Sequence, residues 1–249
     1  CSAINGECAA GKDSDCTPTD TCAENGFCSA QDGKCVAGKD ADCTPTPGCA
    51  DKGLCNAKDG ECVAGSDAGC QASLQCQALG YCAALGGECI AGSDANCAAS
   101  DTCLNEGFCV AINGQCVAGT DADCQAASAC ASEGQCTAQN GQCAAGSDED
   151  CAPAAVCQQF GLCSANDGEC IAKTDDDCAS SETCTNDGYC TAVNGVCGAL
   201  TDEQCEQSPG CAESGYCTSQ DGKCIADSNK DCKQADVCPN DGYCVAVDG

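Results

Sequence analysis

All 37 cysteines fall on one period, and this constrains the fold more than any other feature of the chain. From Cys82 they follow at intervals of 7, 8, 6 and 6 residues (Cys89, Cys97, Cys103, Cys109), and the pattern then starts again. Equivalent starts are Cys1, Cys28, Cys55, Cys82, Cys109, Cys136, Cys163, Cys190 and Cys217, and Cys244 opens a partial unit over 244–249. Nine 27-residue repeats therefore run over 1–249 as one continuous array without an insertion or deletion. Such self-similarity marks a repeat architecture. The sequence opens and closes inside a repeat, so it reads as a window of a longer chain.

A unit this short buries too little surface to hold itself together, and small folds in that position are stapled by disulfides or metals. Conventional core material is scarce: there are three Phe, four Tyr, no Trp and no Met in 249 residues. Cysteine at this density belongs to disulfide scaffolds of oxidising compartments, which predicts an extracellular or cell-surface location. The net charge of −30 comes from 39 acidic residues against nine lysines, with no His. That balance repels phosphate backbones and anionic lipid, so nucleic acid is excluded as a partner. No apolar run approaches the ~20 residues of a membrane span.

Each repeat begins Cys-x-Ala-x-(Asn/Asp)-Gly-x-Cys, with Gly86-Gly87 the one variant of the turn dipeptide and Ser219 the one variant of the alanine. Asn-Gly and Asp-Gly supply two positive-φ residues, the signal for a type I′ β-hairpin turn. With a two-residue loop Ile4 faces Glu7 and Ala3 faces Cys8, and Cys1, Ala3, Cys8 and Ala10 share a side. Alanine recurs at the positions of Ala3 and Ala10, so that side must approach a neighbour closely. Hairpin cysteines are diagonal neighbours about 7–8 Å apart, too far for a direct bridge. Each is expected to bond outside its own hairpin.

In the second half of each repeat, Ser93-Asp94-Ala95-Asn96 and its counterparts at Thr120, Ser147 and Thr174 resemble a capping box. Further caps are predicted at Thr19, Thr46, Ser73, Ser100, Ser181 and Ser208, with Pro47 and Pro209 at first helical positions. A glycine such as Gly26, Gly53 or Gly80 closes the turn in every unit, as a left-handed C-cap requires. The next residue is usually large and apolar (Phe27, Leu54, Tyr81, Phe108, Leu162, Tyr189, Tyr216, Tyr243) and is expected to pack over disulfides of an adjacent unit. The fold class expected is a small disulfide-rich repeat array. It is an elongated rod or solenoid of nine units, each a hairpin plus one or two short helical turns, with contacts repeating from unit to unit.

The residues restrict the chemistry. Reactive thiol pairs and zinc sites favour spacings such as Cys-x-x-Cys, and here the closest cysteines are six apart with no His. Cys82, Cys89, Cys97, Cys103 and their repeat equivalents are read as structural disulfides, two per unit; the pairing is left open, and the odd cysteine in 37 is what a cut array gives if one bridge crosses repeat boundaries. Carboxylates two apart on a loop can share a hard cation. The candidate calcium residues are Asp13, Asp15, Asp40, Asp42, Asp121, Asp123, Asp148, Asp150, Asp175 and Asp177, as weak extracellular sites. The competing assignment is a helix cap, which Gly69, Asn96 and Gln204 at the second position favour. No other cofactor is expected. With no nucleophile–base set and identical carboxylates in every repeat, an enzyme is not expected.

These motifs resemble tandem cysteine-rich repeats of bacterial secreted proteins, whose core Cys-x-x-Ser-x-x-Cys-x-x-x-Gly-x-Cys is present from Cys97 through Ser100, Cys103 and Gly107 to Cys109. Ala127, Ala154 and Ala235 depart at the Ser position. The resemblance covers the whole chain and implies a secreted or surface location; it assigns no activity. The function expected is a structural extracellular protein, a disulfide-stapled rod in a filament, stalk or surface fibre, with copies of itself as partners. The alternative is a cell-surface adhesin whose repeats present aromatics or calcium to a glycan or surface protein.

Overall fold

The computed structural model describes the backbone of residues 2–4 and 7–247 and the side chains of 9–247. Cys1, the Asn5-Gly6 and Asp248-Gly249 turns and the side chain of Cys8 lie outside the described residues.

The chain builds one small module repeatedly: helix, helix, hairpin. In residues 40–63 these are Asp40–Cys43, Pro47–Lys52, and strands Asn56–Lys58 and Glu61–Val63. Among the described residues eight complete modules occur, after a first hairpin (Ser2–Ile4, Glu7–Ala9) and before a last helix pair (Asn229–Gln234, Val237–Asp241). Two compact units form, Cys1–Gly119 and Thr120–Gly249. Each contains four of the complete modules.

The hairpins have the register read from their turns: Ala57 faces Cys62 and Lys58 faces Glu61. Asp59 at φ 52° and Gly60 at φ 87° supply the two left-handed residues of the turn. The second helices start where a hydroxyl is available. Thr46 donates to Cys43 O at 2.7 Å and accepts from Cys49 N at 3.2 Å, satisfying one orphan group on each side of the break. Ser100 does the same for Cys97 O and Cys103 N, whereas Ala127 and Ala154 make no side-chain cap bond. The expected boxes at Ser93 and Ser147 do not cap their helices with a side chain. Asp150 instead turns to Gly146 N and to Thr137 of the preceding hairpin.

The disulfides alternate between two sequence separations. Cys43–Cys62 spans 19 residues and encloses Cys49–Cys55, which spans six. The same nesting holds for Cys70–Cys89 around Cys76–Cys82 and for Cys97–Cys116 around Cys103–Cys109. Every hairpin cysteine in these pairs thus bonds outside its hairpin. A repeat cut at the first hairpin cysteine has both bridges crossing its boundary, as Cys43–Cys62 and Cys49–Cys55 do at Cys55; a module cut at the first helix contains both. Among the described residues Cys232 is the one free cysteine, and it is buried.

Cystine replaces the missing hydrocarbon core. Cys16, Cys43, Cys70, Cys97, Cys124, Cys151, Cys178 and Cys205 are all 0% exposed, and the other largest fully buried side chains are Ser100 and Ser181. Leu54 and Tyr81 pack against the cluster of Ala64, Cys70 and Cys89, as expected for the residue after each helix. Tyr216 does not follow, being 49% exposed.

Among the described residues no disulfide joins one module to the next, and hydrogen bonds tie neighbours within each unit. Ala37 N–H donates to Gly60 O at 2.9 Å, and Ala64 to Gly87 and Ala145 to Gly168 likewise. The recurring alanines are small because this approach is close: Ala37, Ala64, Ala145 and Ala199 are at most 3% exposed. Nested pairing gives a direct test by non-reducing electrophoresis. A protease site placed between modules at the exposed Gly65 should yield two fragments that separate under denaturing conditions without reductant. A site in the turn at Gly86, inside the Cys70–Cys89 ring, should leave the fragments joined until reduction. Joined fragments from the first cut would refute the pairing.

Candidate functional site: the paired carboxylates

The aspartates singled out for calcium stand at the start of each module's first helix, where anionic side chains meet free N–H groups. The two members of a pair hold different partners. The first reaches forward to its own hairpin: Asp13, Asp40, Asp121, Asp148 and Asp175 each accept through Oδ1 from the backbone N–H 17 residues on. Those donors are Ala30, Ala57, Ala138, Ala165 and Ala192, at 2.8–2.9 Å. Asp40 also accepts from Asn56 Nδ2 at 3.0 Å.

The second carboxylate reaches back. Asp42 Oδ2 accepts from the Ser29 hydroxyl of the preceding hairpin at 2.7 Å and from Gly38 N at 3.0 Å. Asp150 accepts from Thr137 and Gly146 N, both at 2.8 Å. Asp177 accepts from Ser164 at 3.0 Å, Lys173 N at 2.7 Å and Thr174 N at 2.9 Å. Val110 stands at the corresponding sequence position before Asp123, and Asp123 accepts from Thr120 N and Oγ1. Asp15 accepts from Gly11 N. Each full pair therefore clamps one module to its own hairpin and to the hairpin before it.

The hydroxyl partners Ser29, Thr137, Ser164, Thr191 and Thr218 were not among the sequence candidates. Their signal lies within the repeats: a hydroxyl at the strand's first residue goes with an acid or amide at the second position of the following pair. Where Ala83 replaces the hydroxyl, Asn96 bonds only locally, to Ser93. Gln204 keeps the tie with reversed polarity, its Nε2 donating to Thr191 Oγ1 at 2.8 Å. Asn229 likewise replaces the first acid and still accepts from Ala246 N at 3.0 Å. Among the described residues no three His, Cys, Asp or Glu side chains gather as a metal site.

The amide replacements separate the clamp from a calcium ligand. Asp121→Asn keeps an acceptor for Ala138 N–H and should change the melting temperature little. Asp121→Ala orphans that donor and should cost about 1 kcal/mol. Equal losses for both variants, together with a melting temperature that falls on adding chelator to wild type, would instead make the charge a calcium ligand.

Protonation should weaken the same clamps. Partial burial of Asp177 works against its charge, but the N–H groups of Thr174 and Lys173 and the hydroxyls of Ser164 and Thr174 outweigh it and hold its carboxyl below the usual range. A depressed folded value contributes stability that is full above the ordinary aspartate value of about 3.9. It is lost as pH falls through the lower folded value. Exchange of the Lys173 and Thr174 amides should accelerate in that acid window in wild type. In Asp177→Asn, the added acceleration there should disappear.

No protein-family model matches this chain, and neither a curated protein nor a solved structure matches it. The repeat architecture stands on the contacts described above, and the resemblance to bacterial secreted repeats stands on the residues alone.

Proposed function

We propose that this chain is a structural protein of the cell exterior, a disulfide-stapled repeat array that forms or belongs to a filament, stalk or surface fibre. The observation that carries this reading is the recurrence of each inter-module tie at a fixed offset. The alanine after one hairpin bonds the turn glycine of the next, and the second acid of a pair bonds the hydroxyl of the hairpin before it. In such arrays stability accumulates by nearest-neighbour interfaces, so length can grow without a new core. The disulfide load fits an oxidising compartment and supports this location. No helix among the described residues is long and apolar enough to cross a membrane. The surplus of carboxylates opposes non-specific association while leaving specific self-contact open.

Electron microscopy of the full natural protein, with and without reductant and chelator, tests this assignment. Filaments of uniform width that survive chelation and fall apart on reduction are the expected result. A compact, monodisperse globule in solution scattering would sink it.

A further inference from the structure

The first unit carries a groove of about 750 Å³ that crosses three successive modules. Ligand sites typically have roughly 300–1,000 Å³, an apolar or aromatic floor and a few placed polar groups. Leu54, Val63, Tyr81 and Ile90 supply the apolar lining. Leu54 and Tyr81 are one period apart, as are Val63 and Ile90. Leu54 and Tyr81 rest on the cluster containing Cys70 and Cys89, so both are held by a cross-linked support. A preformed surface of this kind loses little freedom on binding.

The polar lining is Lys52, Glu61, Gln75, Glu88, Asn113 and Gln115. The clamp aspartates spend their oxygens on the protein's own N–H and hydroxyl groups. These six side chains, and the Tyr81 hydroxyl, make no hydrogen bond or ion pair to the described residues. Two carboxylates one period apart, three amides and a phenol thus face one open channel with a single ammonium among them.

We propose that this groove binds a linear glycan of amino sugars bearing free ammonium groups. Amides and the phenol match sugar hydroxyls as both donors and acceptors. The Tyr81 ring accepts a sugar's C–H face or an ammonium against its π surface. Glu61 and Glu88 supply the charge complement, and a chain of net charge −30 repels acidic glycans. A neutral glycan would leave both carboxylates without a counter-charge. A basic peptide would bring ammonium groups to the carboxylates and the ring, but lacks the row of hydroxyls that the three amides and the phenol match. The inference does not depend on filament formation, since the groove lies within one unit of one chain.

Isothermal titration of the intact protein with a glucosamine hexamer, cellohexaose and hexalysine tests it. Titration at 0.15 M salt, where charges beyond about 8 Å are screened, suppresses general attraction to the acidic surface. The glucosamine hexamer should bind at least about tenfold more tightly than either other probe, a difference of about 1.4 kcal/mol. Tyr81→Ala should weaken it by about tenfold, and Tyr81→Phe should retain most of the affinity. Tyr243→Ala, outside the groove, should change nothing. Because Tyr81 supports the cystine, Glu61→Gln with Glu88→Gln provides a second readout at exposed positions, with an expected several-fold loss. Hexalysine binding as tightly as the glycan would reduce the site to surface charge. Cellohexaose binding as tightly, or glycan affinity unchanged in the double Gln variant, would overturn the assignment.

Discussion

Replacing Cys70 and Cys89 together by alanine is expected to destabilise residues 67–90 by about 3 kcal/mol or more. The bridge closes a loop of sequence separation 19, and loop closure at that length restricts the unfolded chain by about 3 kcal/mol. Packing adds to this, since Cys70 is fully buried and Leu54 and Tyr81 lean on the pair. Removing Cys76 and Cys82 instead should cost roughly 2 kcal/mol, because their loop spans only six residues. The loss should also stay local. No disulfide joins this module to residues 40–63 or 94–117, so a neighbour suffers only through its weakened interface. Native-state hydrogen exchange resolves modules separately where a single melting curve does not. Equal loss of protection across the first unit would show that its modules unfold as one body.

Locality follows from where the covalent bonds lie, and that was only partly legible in the sequence. Period, hairpin register, turn type, caps at Thr46 and Ser100, and left-handed closing glycines could be read because each depends on residues within one turn of chain. Bonding of hairpin cysteines outside the hairpin could also be read, from the diagonal distance across a type I′ ladder. Nesting of the two bridges could not. The sequence is periodic, so any cut at one full repeat describes it equally well. Only the contact of Cys43 with Cys62 shows that the folded module begins at the first helix. The carboxylates were legible as caps but not as clamps, since the hydroxyls of Ser29 and Thr137 belong to the hairpin of the module before. Periodicity also misleads: Tyr216 occupies the phase of Tyr81 yet remains exposed. The groove was least visible, because its lining draws on side chains from three modules.

Gly80→Ala should be among the most damaging single substitutions in the first unit, and the reason is the interface between modules. Gly80 closes its helix at φ +74°, where a side chain costs about 1 kcal/mol or more from backbone strain alone. A Cβ there would also lie 2.8 Å from Cys116 Sγ, 2.9 Å from Asn96 O and 2.9 Å from Cys97 Cα, all in the next module. Two of those atoms are backbone and the third is a bridged sulfur, so none can swing aside. Relief requires the modules to part, and a total cost of about 3 kcal/mol or more is expected. Gly86 offers an internal comparison: its φ is +66°, but a Cβ would meet nothing within 4 Å. Gly86→Ala should therefore show only the strain, about 1 kcal/mol. Gly86→Asn should be close to neutral, since Asn113 holds the equivalent turn position at φ 51°. Denaturant unfolding of the three variants, followed by exchange in residues 67–90 and 94–117, checks the ranking. If Gly80→Ala costs no more than Gly86→Ala, the approach of one module to the next is looser than these contacts require, and strain alone explains the glycine in every repeat.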